Sequence, residues 1–342
     1  MNALAALGLD ALVAARGSPC TGFRFFNASG RRLGAIDRSH DAARFGHTLT
    51  MLRRGDLHQI LLAAAVREGV DVRYGHRLES LRTPGDGVEA RFENGARIVG
   101  AVLFGCDGVR SRVRALALPE APPPRATGLL DAGGFASIRA PLPLGSNEMV
   151  FGRRAFFGAY SPRESEVWWF HNGPELEDAH ATSIDPEQLR ARLLTLHRDD
   201  PPWIAEVIRA TPHVLGPWRI HELDGMPAWS RGRVCLLGDA AHAMSPSAGQ
   251  GAALALEDAV CVARCLQELE TPAQAFARFE ALRRPRARAI FAQARRNGSG
   301  KAVGGAFAER LRDLLLRIFL PLGARAQTRS YAHRENWNAP VR

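Results

Sequence analysis

The chain has 342 residues, of which 46% are hydrophobic and 23% are charged. This composition is typical of a soluble globular protein of one or two domains, and it excludes a collagen-like, disulfide-scaffold or wholly disordered chain. The net charge of +10 includes no block of five or six consecutive like charges, so we expect no nucleic-acid partner.

The N-terminal third alternates between helices and strands, as in an α/β fold. Apolar periodicity and turn residues define the predicted elements. They are a helix over 3–15, two strands over 22–37 joined at Asn27–Gly30, a helix over 55–68, a short strand over 70–74, a hairpin at Asn94–Gly95 and an apolar strand over 101–104. The last strand ends in a Gly-Cys-Asp-Gly turn.

The middle of the chain has a different pattern. The Pro- and Gly-rich segment 119–143 marks a boundary. From there to about Trp229, short alternating segments predict an antiparallel sheet. One helix interrupts them over 186–196, with Asp185 as its N-cap.

The C-terminal third returns to the α/β pattern. An apolar strand over 233–237 leads into Gly238-Asp239 and a loop of small residues, and a helix is predicted over 251–269. The segment 271–274 has the pattern of a capping box with proline at the first helical position. Pro285 is expected to kink the helix that starts there.

The turn after the 233–237 strand is the strongest candidate for a binding site. Gly249 and Gly251 carry no side chain, so backbone N–H groups can approach a ligand closely. The helix behind them begins with unpaired N–H groups and a partial positive charge, which suits an anion or an electron-rich ring. An ordinary tight strand-to-helix connection needs the same glycines, so the spacing alone leaves both interpretations open.

Three segments resemble the motifs of the single-component FAD monooxygenases, the flavin-dependent aromatic hydroxylases with the fold of para-hydroxybenzoate hydroxylase. They occur in the family's order and spacing, and the resemblance covers essentially the whole chain. The matching residues are Gly238, Asp239, His242, Pro246, Gly249, Gly251, Glu257 and Asp258 in the first segment, Asp107, Gly108, Ser111 and Arg114 in the second, and Arg54 in an Arg-x-Asp-Leu segment at a helix start.

The resemblance implies an α/β protein with a Rossmann-like FAD-binding domain, an inserted mixed or antiparallel substrate sheet, and C-terminal helices. The implied division of the chain gives residues 1–22, 46–116 and 229–300 to the FAD-binding domain, residues 23–45 and 117–228 to the substrate domain, and residues 301–342 to a C-terminal helical segment.

The resemblance also implies roles for individual residues. Asp239 would bond the ribityl or pyrophosphate region of FAD, and Pro246 would lie beside the isoalloxazine ring. Amides over 249–252 would face the pyrimidine edge of the flavin, which is anionic when reduced. The implied cofactor-binding residues are Arg54, Asp107, Gly108, Gly238, Asp239, Pro246, Gly249, Gln250, Gly251 and Ala252.

The implied chemistry is reduction of FAD by NADH or NADPH and addition of O2 to give a flavin hydroperoxide. A small aromatic or polyketide-like substrate would then be hydroxylated or epoxidised. The sequence identifies no catalytic base, no substrate and no oligomeric state, and it does not separate NADH from NADPH.

One family element is not found in this sequence. The family begins with a strand–helix–strand unit that carries Gly-x-Gly-x-x-Gly and cradles the pyrophosphate, and no such pattern occurs here. We therefore expect this unit to be missing. We favour a fragment or misassigned start over the competing explanations, a gene remnant and a relative that has lost FAD. The last two would make the chain a non-redox binding or interaction protein.

Other candidate residues have plainer explanations. For His242 a packed position is favoured over a catalytic base, and for Cys261 and Cys265 buried thiols are favoured over a metal site, so no metal is predicted. Strand alternation puts Trp168 and Phe170 on one face, where they would line a substrate pocket or belong to the core. Nothing selects among the remaining substrate-binding candidates His47, Tyr160, Arg219 and His221.

The C-terminal third also contains two basic amphipathic segments, over 278–296 and 307–323. They suit a membrane surface or a partner, but a helix pair packed on the FAD-binding domain with solvated arginines explains the pattern equally simply, and we favour it.

No apolar run reaches the ~18 residues of a membrane span, and the N-terminus shows no signal-type pattern, so we expect cytoplasmic residence. The five cysteines form no Cys-x-x-Cys pair, which predicts reduced and mostly buried thiols.

Overall fold

The structure is a computed structural model, and it describes residues 1–175, 184–299, 305–334 and 336–341. Parts of the predicted C-terminal segment, residues 301–304, 335 and 342, lie outside the described residues, as does residue 300. The described residues form a mixed α/β fold with several sheets, in agreement with the predicted fold class.

Helices occupy most of the described C-terminal third and alternate with short strands in the N-terminal third. Asp185 caps its helix as predicted, accepting a hydrogen bond of 3.2 Å from the Gln188 amide. The capping box also forms, because the Thr271 amide donates to the Gln274 side chain at 3.2 Å. In chain order the helices are α1 Asn2–Ala6, α2 Asp10–Arg16, α3 Asp41–Phe45, α4 Arg54–Arg67, α5 Arg112–Ala117, α6 Pro186–Leu196, α7 Pro202–Arg209, α8 Asp239–His242, α9 Gly251–Glu268, α10 Pro272–Ser299 and α11 Ala306–Tyr331.

The strands form one large sheet and three small ones. In chain order they are β1 Ser18–Cys20, β2 Gly22–Asn27, β3 Arg32–Asp37, β4 Leu49–Met51, β5 Leu78–Arg82, β6 Val88–Phe92, β7 Arg97–Gly100, β8 Leu103–Gly105, β9 Arg125–Ala136, β10 Ser146–Phe151, β11 Phe156–Arg163, β12 Glu166–Pro174, β13 Leu215–Glu222, β14 Ser230–Arg231 and β15 Val234–Leu236.

The large sheet has seven strands in the order β13-β9-β12-β11-β10-β2-β3. All its pairs are antiparallel except β10 with β2, so the predicted mixed or antiparallel sheet is confirmed. One face of this sheet packs on α6 and α7 through a core that includes Phe157, Trp169 and Ile204. The small sheets are β14-β15-β8, β5-β6-β7 and β1-β4.

Two predicted elements near the N-terminus are wrong. The helix over 3–15 is two helices, because Gly8 takes a φ of 68° and breaks it. The segment 70–74 forms no strand, and Val70, Val72 and Tyr74 are exposed. A strand needs a partner to satisfy its backbone groups, and the described residues place none beside this segment.

The predicted boundary segment 119–143 contains β9, a strand of twelve residues inside the large sheet. Its glycines permit close packing: a Cβ on Gly134 would lie 2.6 Å from the Thr211 side chain, and one on Gly133 would lie 2.8 Å from the Trp169 carbonyl oxygen. Composition therefore indicated a loop where the tertiary structure needs small residues in a strand. The short helices α5 and α7 were not predicted at all.

The two C-terminal helices also depart from the prediction. Helix α10 packs on α9, whereas α11 packs on β3, the edge strand of the seven-stranded sheet. The predicted helix pair on a single domain is therefore wrong for α11. Within the described residues, no helix is long and apolar enough to cross a membrane.

Candidate functional site

A parallel strand pair brings the two predicted motif turns to one edge. Strands β8 and β15 pair in register, Leu103 with Val234 and Gly105 with Leu236, and the Leu237 amide donates to the Gly105 carbonyl at 3.0 Å. The carboxyl ends of both strands therefore lead into the Asp107-Gly108 turn and the turn over residues 238–252. Ligands of open α/β sheets bind at such an edge.

Arg114 ties these two turns together. Its buried guanidinium donates to the Ala240 carbonyl at 2.9 Å and to the Val109 carbonyl at 2.6 Å. Burial lowers the pKa of Arg114. The sequence placed Arg114 in a motif without assigning it a role, since its main partner lies 126 positions away.

The Asp107 carboxylate is committed to its own turn. It accepts hydrogen bonds from the Ser111 hydroxyl at 2.5 Å, the Arg112 amide at 2.6 Å and the Val113 amide at 3.0 Å. These bonds satisfy free amides at the start of α5. Gly108 has a φ of 79°, which only glycine adopts without strain. The geometry thus gives Asp107 and Gly108 a shaping role in the turn.

The 238–252 turn presents an open, uncapped helix start. Pro246 begins a 3-10 turn, Gly249 follows with a φ of 63°, and a Cβ on Gly249 would meet open space. No side chain caps α9, so its first amides are free among the described residues. Asp239 is exposed. Its side chain lies next to this helix start, because a Cβ placed on Gly251 would be 3.9 Å from Asp239 Oδ1. Of the other predicted residues here, Ala252 is exposed, and Gly238 and Gln250 are buried.

A buried network of charged side chains contacts the 238–252 turn. Asp258 in α9 accepts hydrogen bonds from the Gly238 amide at 3.1 Å, His242 Nε2 at 2.6 Å and Arg283 Nε at 2.8 Å. Burial alone would raise the pKa of Asp258, but the hydrogen bonds and charges of His242 and Arg283 outweigh it, and the pKa is lowered. His242 is buried and paired, as predicted for a packed residue.

The start of α4 offers an unpaired cation. Arg54 is the first residue of this helix, is exposed, and forms no ion pair among the described residues. A cation is unfavourable at the positive end of a helix, so this position suggests a ligand rather than a stabilising role. Helices α4 and α9 share one apolar cluster through Ile60 and Leu256.

Comparison with known proteins decides the family. The family described as FAD binding domain matches residues 1–294 of the chain. The chain belongs to this FAD-binding family. The predicted enzyme class, an FAD-dependent monooxygenase, is confirmed by its relatives.

Three of those relatives illustrate the similarity. An aurachin C monooxygenase/isomerase of Stigmatella aurantiaca is 32% identical over 96% of this chain and 84% of its own length. A 6-hydroxynicotinate 3-monooxygenase of Bordetella bronchiseptica is 32% identical over 71% of this chain and 64% of its own length. The crystal structure of Klebsiella pneumoniae HpxO complexed with FAD and uric acid shares the fold, with a TM-score of 0.86 at 23% identity over 96% of this chain and 84% of that one.

The residues at this edge fit a flavin. The bare surface at Gly249 leaves room for a flat ring, and the uncapped amides of α9 are donors without acceptors among the described residues. Reduced flavin carries negative charge that such donors stabilise. An exposed carboxylate at Asp239 and an exposed cation at Arg54 suit the hydroxyl and phosphate groups of FAD.

An aromatic face of the FAD-binding protein lies next to Arg54. Trp168 and Phe170 share one face of β12 as predicted, while Trp169 between them is buried in the core. Trp168 meets Phe135 edge to face with ring centres 6.0 Å apart. The guanidinium of Arg53, the residue before Arg54, lies 4.5 Å from the Phe135 ring centre and pairs with Glu166.

The remaining substrate candidates are engaged elsewhere. The Tyr160 hydroxyl donates to the Pro19 carbonyl at 2.9 Å, and burial raises the pKa of Tyr160 to about 12. Arg219 pairs with Glu175 at 2.5 Å, and His47 lies 4.0 Å from Asp10. His221 Nδ1 lies 3.2 Å from the Arg219 carbonyl oxygen.

Cys261 and Cys265 are buried in α9, whereas Cys106 is exposed.

Proposed function

We propose that this chain is a monooxygenase that uses FAD, with NADH or NADPH as electron donor, to transfer one atom of O2 to a small aromatic substrate. One observation carries the proposal. Arg53 and Arg54 are adjacent, Arg53 stacks on an aromatic face, and Arg54 is exposed at the start of α4 without an ion-pair partner among the described residues. This adjacency supports a cofactor contact at Arg54 beside a surface suited to a flat apolar ring.

Each part of the site has a physical task in this function. Asp239 accepts hydrogen bonds from cofactor hydroxyls, and Arg54 pairs with a phosphate. The amides over 249–252 stabilise negative charge at the pyrimidine edge, and Pro246 keeps water from the ring. When bound, reduced FAD supplies the activation of O2. Trp168, Phe135 and Phe170 hold the substrate by stacking, which is favourable for any aromatic ring.

The competing hypothesis is a relative without redox activity that acts as a binding protein. The named relatives are monooxygenases, so the comparisons do not favour it. No Gly-x-Gly-x-x-Gly pattern occurs in the sequence, and this keeps the hypothesis testable, because such a pattern would hold the pyrophosphate of FAD.

The deciding measurement is the visible absorption spectrum of the purified chain before and after addition of FAD and desalting. We expect retained flavin bands, and then NADH or NADPH oxidation that accelerates with 6-hydroxynicotinate or simple phenols.

Asp239→Asn should weaken FAD binding about tenfold, because it removes a charged acceptor. Asp37→Asn, an exposed aspartate on β3 with 67% of its side chain accessible, is the matched control and should bind FAD normally. A folded, colourless chain that ignores FAD would refute the proposal.

A further inference from the structure

Among the described residues, helix α11 packs on the seven-stranded sheet through one of its sides. Leu316 and Leu320 pack against Leu33, Phe151 and Phe156. On the same side, the buried Arg312 guanidinium donates to the Phe151 carbonyl at 3.2 Å and to the Gly152 carbonyl at 3.3 Å. These contacts fix the orientation of α11 about its own axis. They therefore define which side of the helix faces away from the sheet.

The outer side of α11 is apolar and open. Its large side chains, between 43% and 81% exposed, recur at the spacing of one helical face. We call this surface the apolar stripe, and it consists of Phe307, Leu311, Leu314, Leu315, Ile318 and Phe319. The twelve steps along the helix from Phe307 to Phe319, at ~1.5 Å each, make it roughly 18 Å long. A contiguous exposed surface of this kind marks an interaction site.

The charges around the apolar stripe are positive. Arg310 and Arg317, two helical turns apart, lie along one flank of it, and Arg31 and Arg32 lie at the start of β3, against which α11 packs. All four are exposed, and none forms an ion pair among the described residues. Glu309 and Asp313 are half-buried on the other side of the arginine row. Asp313 is occupied by Asn27 at 2.8 Å and by Arg312.

This pattern disfavours a second copy as the occupant. If two apolar stripes paired antiparallel about their midpoint, Arg310 of one copy would face Arg317 of the other. Like charges held together in this way repel, whereas an anionic surface attracts all four arginines at once.

We propose that the apolar stripe lies on the surface of an anionic lipid membrane, with the axis of α11 parallel to it. The large apolar side chains enter the boundary between head groups and acyl chains, and Arg310 and Arg317 contact the acidic head groups. The binding is peripheral, in keeping with the absence of a spanning helix among the described residues. It is independent of the proposed flavin chemistry.

Vesicle flotation of the full chain tests the proposal. The chain should float with vesicles of phosphatidylcholine and phosphatidylglycerol, less in high salt, and hardly at all with phosphatidylcholine alone. Leu314→Gln with Ile318→Gln should lower the partition coefficient by about tenfold for each side chain. Arg310→Gln with Arg317→Gln should lower it about fivefold for each arginine.

Val66→Gln is the matched control. Val66 is 57% exposed on α4, close to the 55% of Ile318, and should not affect flotation. The arginine double variant changes only exposed side chains, so it stays folded and keeps the test decisive. The proposal fails if the chain ignores anionic vesicles, or if Val66→Gln lowers binding as much as the stripe variants do. It also fails if sedimentation shows a dimer that the stripe variants convert to a monomer.

Discussion

Asp258 and Glu257 are adjacent in α9, are both buried, and both pair with Arg283. Only Asp258 also contacts the 238–252 turn, through the Gly238 amide and His242. Glu257 instead accepts two hydrogen bonds from Arg286. Substituting each of the two residues separately therefore distinguishes an effect on the 238–252 turn from an effect of losing one buried negative charge.

We expect Asp258→Asn to weaken FAD binding by tenfold or more. Three buried donors share the two oxygens of Asp258, and an amide leaves at least one of them unsatisfied, at a cost of about 1–3 kcal/mol. Glu257→Gln should lower the melting temperature comparably but leave the FAD dissociation constant within about twofold. Flavin fluorescence and thermal melts measure both quantities. Equal losses of FAD affinity in the two variants would contradict a role for Asp258 in positioning the turn.

The sequence shows the acidic pair but not its partners. Glu257 and Asp258 are visible as part of a motif, whereas Arg283 is one of many arginines and lies 25 positions beyond Asp258. Its selection depends on how α10 packs against α9, which no local pattern encodes. The signal that would have found it is the need of two buried carboxylates for a cation.

Strand β12 and the segment that follows α6 are joined by a buried chain of polar groups. His171 Nδ1 lies 2.8 Å from His197 Nε2, and His197 Nδ1 lies 2.7 Å from Asp200 Oδ2. Burial, with the nearby charges of His197 and Arg192, lowers the pKa of His171 well below its ordinary value. The folded protein therefore keeps His171 neutral where the unfolded chain would protonate it.

This chain of groups predicts acid sensitivity. The pKa of histidine in an unfolded chain is about 6.5. Below that pH the unfolded state binds a proton at His171 and the native state does not. The free energy of unfolding therefore falls as the pH falls, by about 1.4 kcal/mol per pH unit for one proton. Above that pH the contribution is complete. Replacing His171 by Asn should flatten the dependence measured by urea unfolding between pH 5 and 8, whereas His221→Asn, on a partly exposed histidine, should not. An unchanged slope in His171→Asn would show that other groups dominate.

In the whole molecule, α4 carries a proposed cofactor residue, Arg54, directly after Arg53, which contacts the aromatic face. Its core side packs on α1, α2 and α9, and its start carries Arg53 and Arg54. Arg53 is held over Phe135 and Trp168, while Arg54 has no ion-pair partner in the described part of the chain. We propose that these two neighbouring residues serve two different surfaces.

The two arginines should separate cofactor binding from substrate binding. Arg54→Gln should weaken FAD binding about tenfold, because a charged hydrogen bond contributes about 1.5–3 kcal/mol. Arg53→Gln should leave the FAD dissociation constant unchanged and raise KM for the aromatic substrate, since the cation–aromatic contacts that order Phe135 and Trp168 are lost. Fluorescence titration and steady-state kinetics distinguish them. If both variants weaken FAD binding alike, α4 acts as one structural unit.

The sequence by itself determined the features that depend on residues close together in the chain. The capped helices at Asp185 and Thr271, the hairpin at Asn94–Gly95 and the 238–252 turn follow from local hydrogen bonds and backbone conformations. Only the tertiary structure decided what depends on distant partners. It placed Arg114 against Ala240, made a strand of the glycine-rich segment 125–136 and left residues 70–74 without one. Strand pairing and buried charge pairing are interactions between segments, and a single segment does not specify its partner.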